Sequence, residues 1–249
     1  MRKIAITISK GGAGKSTTCV NLAAALADQG KRVLLVDTDT QGHVATMLGL
    51  SPSAGLAELI VGQASKEEAV VEARPNLWLL AGGKKVAGLK QLIAKKEFAA
   101  ESTIKEGLEC IEGEFDFVLL DTSPGWDSLL INVLFYAREL LLPVSTEVLT
   151  LKSVIDFTER VREILRYNPQ LSISYVVPTF FDQRVKKSSE IIDQLALGFG
   201  EVVCNPIRYS VRLSEAPGFG KTIFEYDPKS RGAQDYLRLA ERISTNGHI

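Results

Sequence analysis

A chain of 249 residues, 45% of them hydrophobic, is long enough for one large core, and nothing in its composition demands a second domain. A formal net charge of −1 excludes a basic field over the whole protein, so any nucleic-acid site must be a local patch. The three cysteines, Cys19, Cys110 and Cys204, are widely separated and lack metal-ligand spacing, which fits a reducing cytoplasm, and no apolar run approaches the length of a membrane span.

After Met1-Arg2-Lys3 the chain enters an apolar run, Ile4–Ile8, that reads as a buried strand and leaves no room for a signal peptide, so export is not expected. The run leads into Lys10-Gly11-Gly12-Ala13-Gly14-Lys15-Ser16, and the following Thr17 opens an apolar helical pattern over Gly14–Gln29. A glycine-rich turn between a strand and a helix is a phosphate cradle. Glycines let successive N–H groups point inward and the helix N-terminus adds its positive dipole end. Lys15 neutralises phosphate oxygens, and the Ser16 hydroxyl is a ligand for Mg²⁺. Residues 10–17 are therefore the expected nucleotide-binding set. Ser9 stands where the usual phosphate loop has its first glycine, and Lys10 adds a second lysine, so the match is to a variant of that loop.

The next strand pattern, Arg32–Val36, runs into Asp37-Thr38-Asp39-Thr40-Gln41-Gly42. Further on come a strand at Leu77–Leu80, helices at Lys84–Ala94 and Ala100–Ile111, and a strand at Phe115–Leu120 that ends in Asp121-Thr122-Ser123-Pro124-Gly125. In open α/β sheets ligands gather at the carboxyl ends of the strands, so aspartates closing two apolar strands are candidates for the same phosphate site. Asp121 suits the acidic role at Mg²⁺, holding a metal-bound water. Taken singly, such aspartates also read as turn or helix-cap residues. The remaining pattern predicts helices at Ser128–Ala137, Leu149–Tyr167, Lys186–Leu197 and Ala233–Thr245, strands at Glu139–Pro143, Ile173–Val177 and Glu201–Cys204, and a frayed tail over Ser244–Ile249. The alternation predicts a single α/β domain over residues 1–249, a phosphate-loop nucleotide-binding fold with a mainly parallel twisted sheet covered on both faces by helices.

The chain resembles the deviant Walker-type ATPases of the ParA/MinD group, and more narrowly the ParA/Soj partition ATPases. The resemblance runs nearly end to end. It rests on Lys10–Ser16, Val33–Gly42, Phe117–Pro124, Val211-Arg212-Leu213-Ser214-Glu215-Ala216-Pro217 with Gly220-Lys221, and Tyr226–Ala233. It implies ATP and Mg²⁺ as cofactors and two ATP-bound subunits packed face to face, with Lys10 reaching the partner's phosphates. Lys10, Lys15 and Asp39 become the expected catalytic set, Asp39 placing the attacking water, and Ser16, Asp37 and Asp121 the expected metal shell. Thr40 and Ser123 stand where the family often has proline, Trp126 follows in the second acidic loop, and Ile207-Arg208-Tyr209-Ser210 replaces the segment that commonly frames the adenine.

Positive charge concentrates at Arg184, Lys186, Lys187, Arg208 and Arg212, with Lys221, Lys229 and Arg231 nearby. Such runs ordinarily face water. The resemblance makes them candidates for sequence-independent DNA contacts. It implies a cytoplasmic ATPase, nucleoid-associated when ATP-bound, that positions a cargo through a ParB-like or other adaptor and has no membrane partner. The rival expectations are a MinD-like membrane-associated ATPase, disfavoured because Leu237–Ile249 ends in polar residues, and a metabolic enzyme on the same scaffold.

Overall fold

The computed structural model of the chain describes residues 1–147 and 150–245. Seven strands, β1 (Arg2–Ile6), β2 (Val33–Asp37), β3 (Val70–Arg74), β4 (Leu77–Leu80), β5 (Phe117–Asp121), β6 (Glu139–Ser145) and β7 (Ser172–Thr179), form one sheet in the order β3-β4-β2-β5-β1-β6-β7. All pairings are parallel except β3 with β4. The helices are α1 (Lys15–Asp28), α2 (His43–Met47), α3 (Leu56–Ile60), α4 (Lys66–Ala69), α5 (Val86–Lys95), α6 (Thr103–Leu108), α7 (Ser128–Tyr136), α8 (Thr150–Leu165), α9 (Lys186–Phe199), α10 (Val211–Glu215), α11 (Ile223–Tyr226) and α12 (Arg231–Thr245).

The central strands read as unbroken apolar runs because both of their faces are covered. In β2, Leu34 and Val36 enter one core with residues of α5, α6, α7 and α8, while Val33 and Leu35 enter the other with residues of α1 and α12. Burial of both sets fixes register, since a slip of one residue would exchange them. Helix α1 is buried from Thr18 to Ala27 and packs against α12, whose Tyr236, Leu239 and Ile243 line the same core.

Two expectations need correction. Glu201–Cys204 is not a strand: Gly200–Val202 forms a 3₁₀ turn, and only Val203 bridges to Val176 of the edge strand. The Cys204 N–H still reaches Val176 O and the Ile207 N–H reaches Pro178 O, but the intervening Pro206 has no N–H with which to continue a ladder. The edge strand β3 gave no strand signal, because Glu72 and Arg74 interrupt its apolar pattern; charge on an edge strand discourages pairing with other chains. Ala100–Ile111, expected as one helix, is α6 flanked by two 3₁₀ turns. The predicted start at Leu149 and the tail residues 246–249 lie outside the described residues.

Candidate nucleotide site

The register brings the acidic residues together. Ile6 of β1 and Asp37 of β2 both pair with Asp121 of β5, so the ends of these three central strands meet at one point. The phosphate loop leaves β1 there and turns into α1. Gly14 has φ +86°, a left-handed conformation that favours glycine, and the ring of Phe180 lies 3.7 Å from where a Cβ would stand. Among the described residues no side chain caps α1, which leaves its first N–H groups directed at the loop's concavity.

Lys15 is buried, and its Nζ donates to Lys10 O at 3.1 Å. Burial lowers its pKa while the charges of Asp121 and Asp39 raise it, so its cation is poorly compensated until an anion enters the loop. Ser16 Oγ donates to Asp121 Oδ2 at 2.6 Å, and Asp121 Oδ1 is buried with no hydrogen-bond partner among the described residues. Burial, and the neighbouring Asp37, push the Asp121 carboxyl well up. An orphaned buried carboxylate oxygen beside a serine hydroxyl fits hydrated Mg²⁺, whose waters would satisfy it and whose charge would relieve the acidic pair. Among the described residues no group of three or more His, Cys, Asp or Glu is arranged to hold a metal ion.

The two other aspartates serve the loop differently. Asp37 is fully buried; its Oδ1 accepts from Asp39 N at 2.9 Å and its Oδ2 from Val44 N at 3.3 Å, so its carboxylate holds the loop between β2 and α2 in shape. Asp39 is half-buried and its Oδ1 accepts from Gln41 N at 3.0 Å. Lys10 pairs with Glu147 at 3.2 Å.

Beside the loop lies a cavity of about 240 Å³, mostly apolar, whose walls include Thr17, Phe180, Ile207, Leu213 and Pro217. It opens at the start of α1, with Gly14 and Thr17 on its wall. Ile207, Arg208 and Ser210, from the segment that departs from the family's adenine-framing pattern, line this cavity together with Phe180. Its φ of +55° is unusual for a bulky residue, and its carbonyl accepts from Thr146 Oγ1 at 3.2 Å; only these tertiary contacts turn its ring toward Gly14.

The family described as an AAA domain matches residues 1–173. The chromosome-partitioning ATPase Soj of Thermus thermophilus is 37% identical over 245 residues, covering 98% of this chain and 95% of that one. The sporulation initiation inhibitor protein Soj of Bacillus subtilis is 35% identical, covering 98% of each. The chain belongs to the Soj/ParA family of partition ATPases. The fold agrees: a structure of cobyrinic acid a,c-diamide synthase from Mycobacterium smegmatis, with bound ADP and magnesium, superposes with a TM-score of 0.85 at 27% identity, covering 99% of this chain and 95% of that one.

For a Soj/ParA relative, the basic residues are the least uniform part of the site. Arg184 is exposed and its guanidinium is held by Asp182 at 2.7 Å; Lys186 is exposed beside Glu190, and Lys187 is exposed. Arg212, on α10, pairs with Glu215 at 2.9 Å and lies over the Tyr226 ring. Arg208 differs. Its Nε and Nη2 both donate to the carboxylate of Asp235, a side chain only 1% exposed, at 2.9 and 2.7 Å. A guanidinium paired with a buried carboxylate ties α12 to the chain after β7, while the Arg208 side chain stays partly exposed. Arg184, Arg208, Tyr209 and Arg231 nonetheless line one cavity of about 280 Å³. Among the described residues no helix is long and apolar enough to cross a membrane.

Proposed function

We propose that this chain is an ATP-driven positioning protein. With ATP and Mg²⁺ it closes into a face-to-face dimer that binds DNA without reading sequence, and an adaptor of the ParB kind, carried by a chromosome, plasmid or protein organelle, stimulates hydrolysis and release. The observation that carries this reading is the convergence of Lys15, Ser16, Asp121 and Asp39 on one loop at the carboxyl ends of three central strands. The relatives named as partition ATPases favour it over a metabolic enzyme on the same scaffold.

The roles follow from chemistry. The loop N–H groups and Lys15 hold the β- and γ-phosphates, while Ser16 directly and Asp121 through water would hold Mg²⁺, which neutralises developing phosphate charge. Asp37 keeps the Asp39 loop in place and lends negative charge to the metal shell. Asp39 accepts a hydrogen bond from the attacking water and orients it in line with the γ-phosphorus. Lys10 swings from Glu147 to the partner subunit's phosphates, a cation supplied in trans that makes ATP a dimerisation ligand. Adenine enters the apolar cavity beside Phe180. The expected setting is the cytoplasm, with nucleoid association in the ATP state.

The test sediments the protein with DNA of unrelated sequence, or with anionic vesicles, in ATP or ADP. Retention on DNA only with ATP is expected. Anisotropy across a salt series then compares the parent with the double variant Arg184→Glu, Arg212→Glu, which should dimerise normally yet lose DNA; each phosphate contact removed lowers the salt slope by about 0.9. Parent-like affinity and slope in the double variant would remove these residues from the DNA surface, and retention on vesicles alone would favour the membrane reading.

A further inference from the structure

Between β4 and α5 the chain makes a turn, Ala81-Gly82-Gly83, that lies directly on the Asp37–Gly42 loop. The contact is backbone on backbone. A Cβ on Gly82 would stand 2.7 Å from the carbonyl oxygens of both Asp37 and Asp39 and 2.8 Å from Asp37 Cγ. A Cβ on Gly42 would stand 2.9 Å from Gly83 Cα. Gly83 N–H donates to Asp39 O at 2.9 Å, and that same oxygen accepts from Gly42 N at 3.2 Å. The Asp39 peptide is thus gripped from outside its own loop.

The turn is itself braced on its far side. Ala81 O accepts from Leu56 N at 2.9 Å, and a Cβ on Gly55 would collide with that carbonyl oxygen, so the start of α3 also approaches without a side chain between. Lys85 pairs with Glu58, whose Oε2 accepts from Gly55 N at 3.0 Å. Farther along α5, Lys90 pairs with Asp127 at 2.6 Å, the residue that caps α7 just beyond the Asp121 loop. The segment from Ala81 to Lys90 therefore reaches the Asp37–Gly42 loop at one end and the N-cap of α7 at the other.

We propose that the Gly82–Gly83 turn is a positioning element for hydrolysis: it fixes the Asp39 backbone, and through it the Asp39 carboxylate, relative to the phosphate loop. This rests on the reading of Asp39 as the residue that orients the attacking water. The turn touches no reacting atom. Its contribution is to restrict where Asp39 sits, and misplacement of a catalytic group by about 1 Å can cost about a hundredfold in rate.

A matched set of variants in the full chain tests this. Gly82→Ala drives a methyl group into the Asp37 and Asp39 carbonyls. Gly83→Ala places its Cβ in open space but strains a φ of +119°, moving the same amide without a clash. Gly88→Ala, within α5 and with nothing near its Cβ, is the control. ATP affinity is measured by titration, single-turnover phosphate release by rapid mixing, and protection of the Gly83 amide by hydrogen exchange in the nucleotide-free parent. The expected result is a protected amide, ATP affinity within about threefold of the parent in all variants, and a rate lowered about tenfold or more in Gly82→Ala and Gly83→Ala only. An unprotected Gly83 amide, parent rates in both turn variants, or parallel loss of affinity and rate overturns the proposal; if Gly82→Ala does not fold, Gly83→Ala decides by the same measures. Asp39→Ala separates the two layers. Parent-rate hydrolysis by that variant refutes the role of Asp39, whereas slow Asp39→Ala beside parent-rate turn variants refutes the turn alone.

Discussion

Replacing Lys10 by alanine separates binding from chemistry. In the single chain the Lys10 ammonium pairs with Glu147 at 3.2 Å, with the two side chains 26% and 73% exposed. A pair this open to water is worth about 0.2–1 kcal/mol, so giving up the Glu147 contact costs little. A cation delivered in trans to a desolvated phosphoryl group contributes about 10³–10⁵ in rate, or about 4–7 kcal/mol of barrier. The imbalance sets the expectation: Lys10→Ala retains ATP affinity within about threefold of the parent, because Lys15 and the loop N–H groups still hold the phosphates. It should lose ATP-dependent dimerisation and hydrolyse at least about a hundredfold more slowly. Titration calorimetry, light scattering with ATP, and phosphate release measure the three quantities. Parent-like dimerisation together with a parent-like rate would refute the trans role and leave Lys10 as a surface partner of Glu147.

Lys15→Ala should reduce ATP affinity by about two orders of magnitude or more, since charge-assisted hydrogen bonds to phosphate contribute about 1.5–3 kcal/mol each; near-parent affinity by titration would overturn the phosphate-loop assignment. Asp39→Ala should bind ATP normally and prolong the life of the ATP dimer, seen as slow dimer decay matched by slow phosphate release. Arg208→Ala should destabilise the fold by about 1–3 kcal/mol in urea unfolding, because the buried Asp235 carboxylate keeps only Arg238 and the residue 208 backbone N–H as donors, whereas Arg184→Ala, at an exposed side chain, should leave the unfolding midpoint near the parent's. Equal effects of these two substitutions would refute the structural role of Arg208.

Much of the nucleotide site was legible because its signals are local. A phosphate loop needs glycines and lysines at fixed offsets between a strand and a helix, and Asp37 and Asp121 announce themselves by closing apolar strands. Long apolar strands and α1 were legible for the same reason, since burial on both faces writes an unbroken run into the chain. What only tertiary structure decided are the contacts between segments far apart in sequence. Nothing near Arg208 reveals that Asp235, 27 residues on, buries its charge against it. The edge strand β3 and the interrupted Glu201–Cys204 segment depend on which strand lies beside them. Phe180, at a positive φ and with its carbonyl bonded to Thr146, faces Gly14 across 166 residues of sequence. Gly82 and Gly83 belong to no motif that the sequence announces. Their packing on Asp37 and Asp39 appears only when β2 and β4 lie side by side and bring two loops within van der Waals contact, since hydrogen bonding between strands, and not sequence proximity, sets that distance.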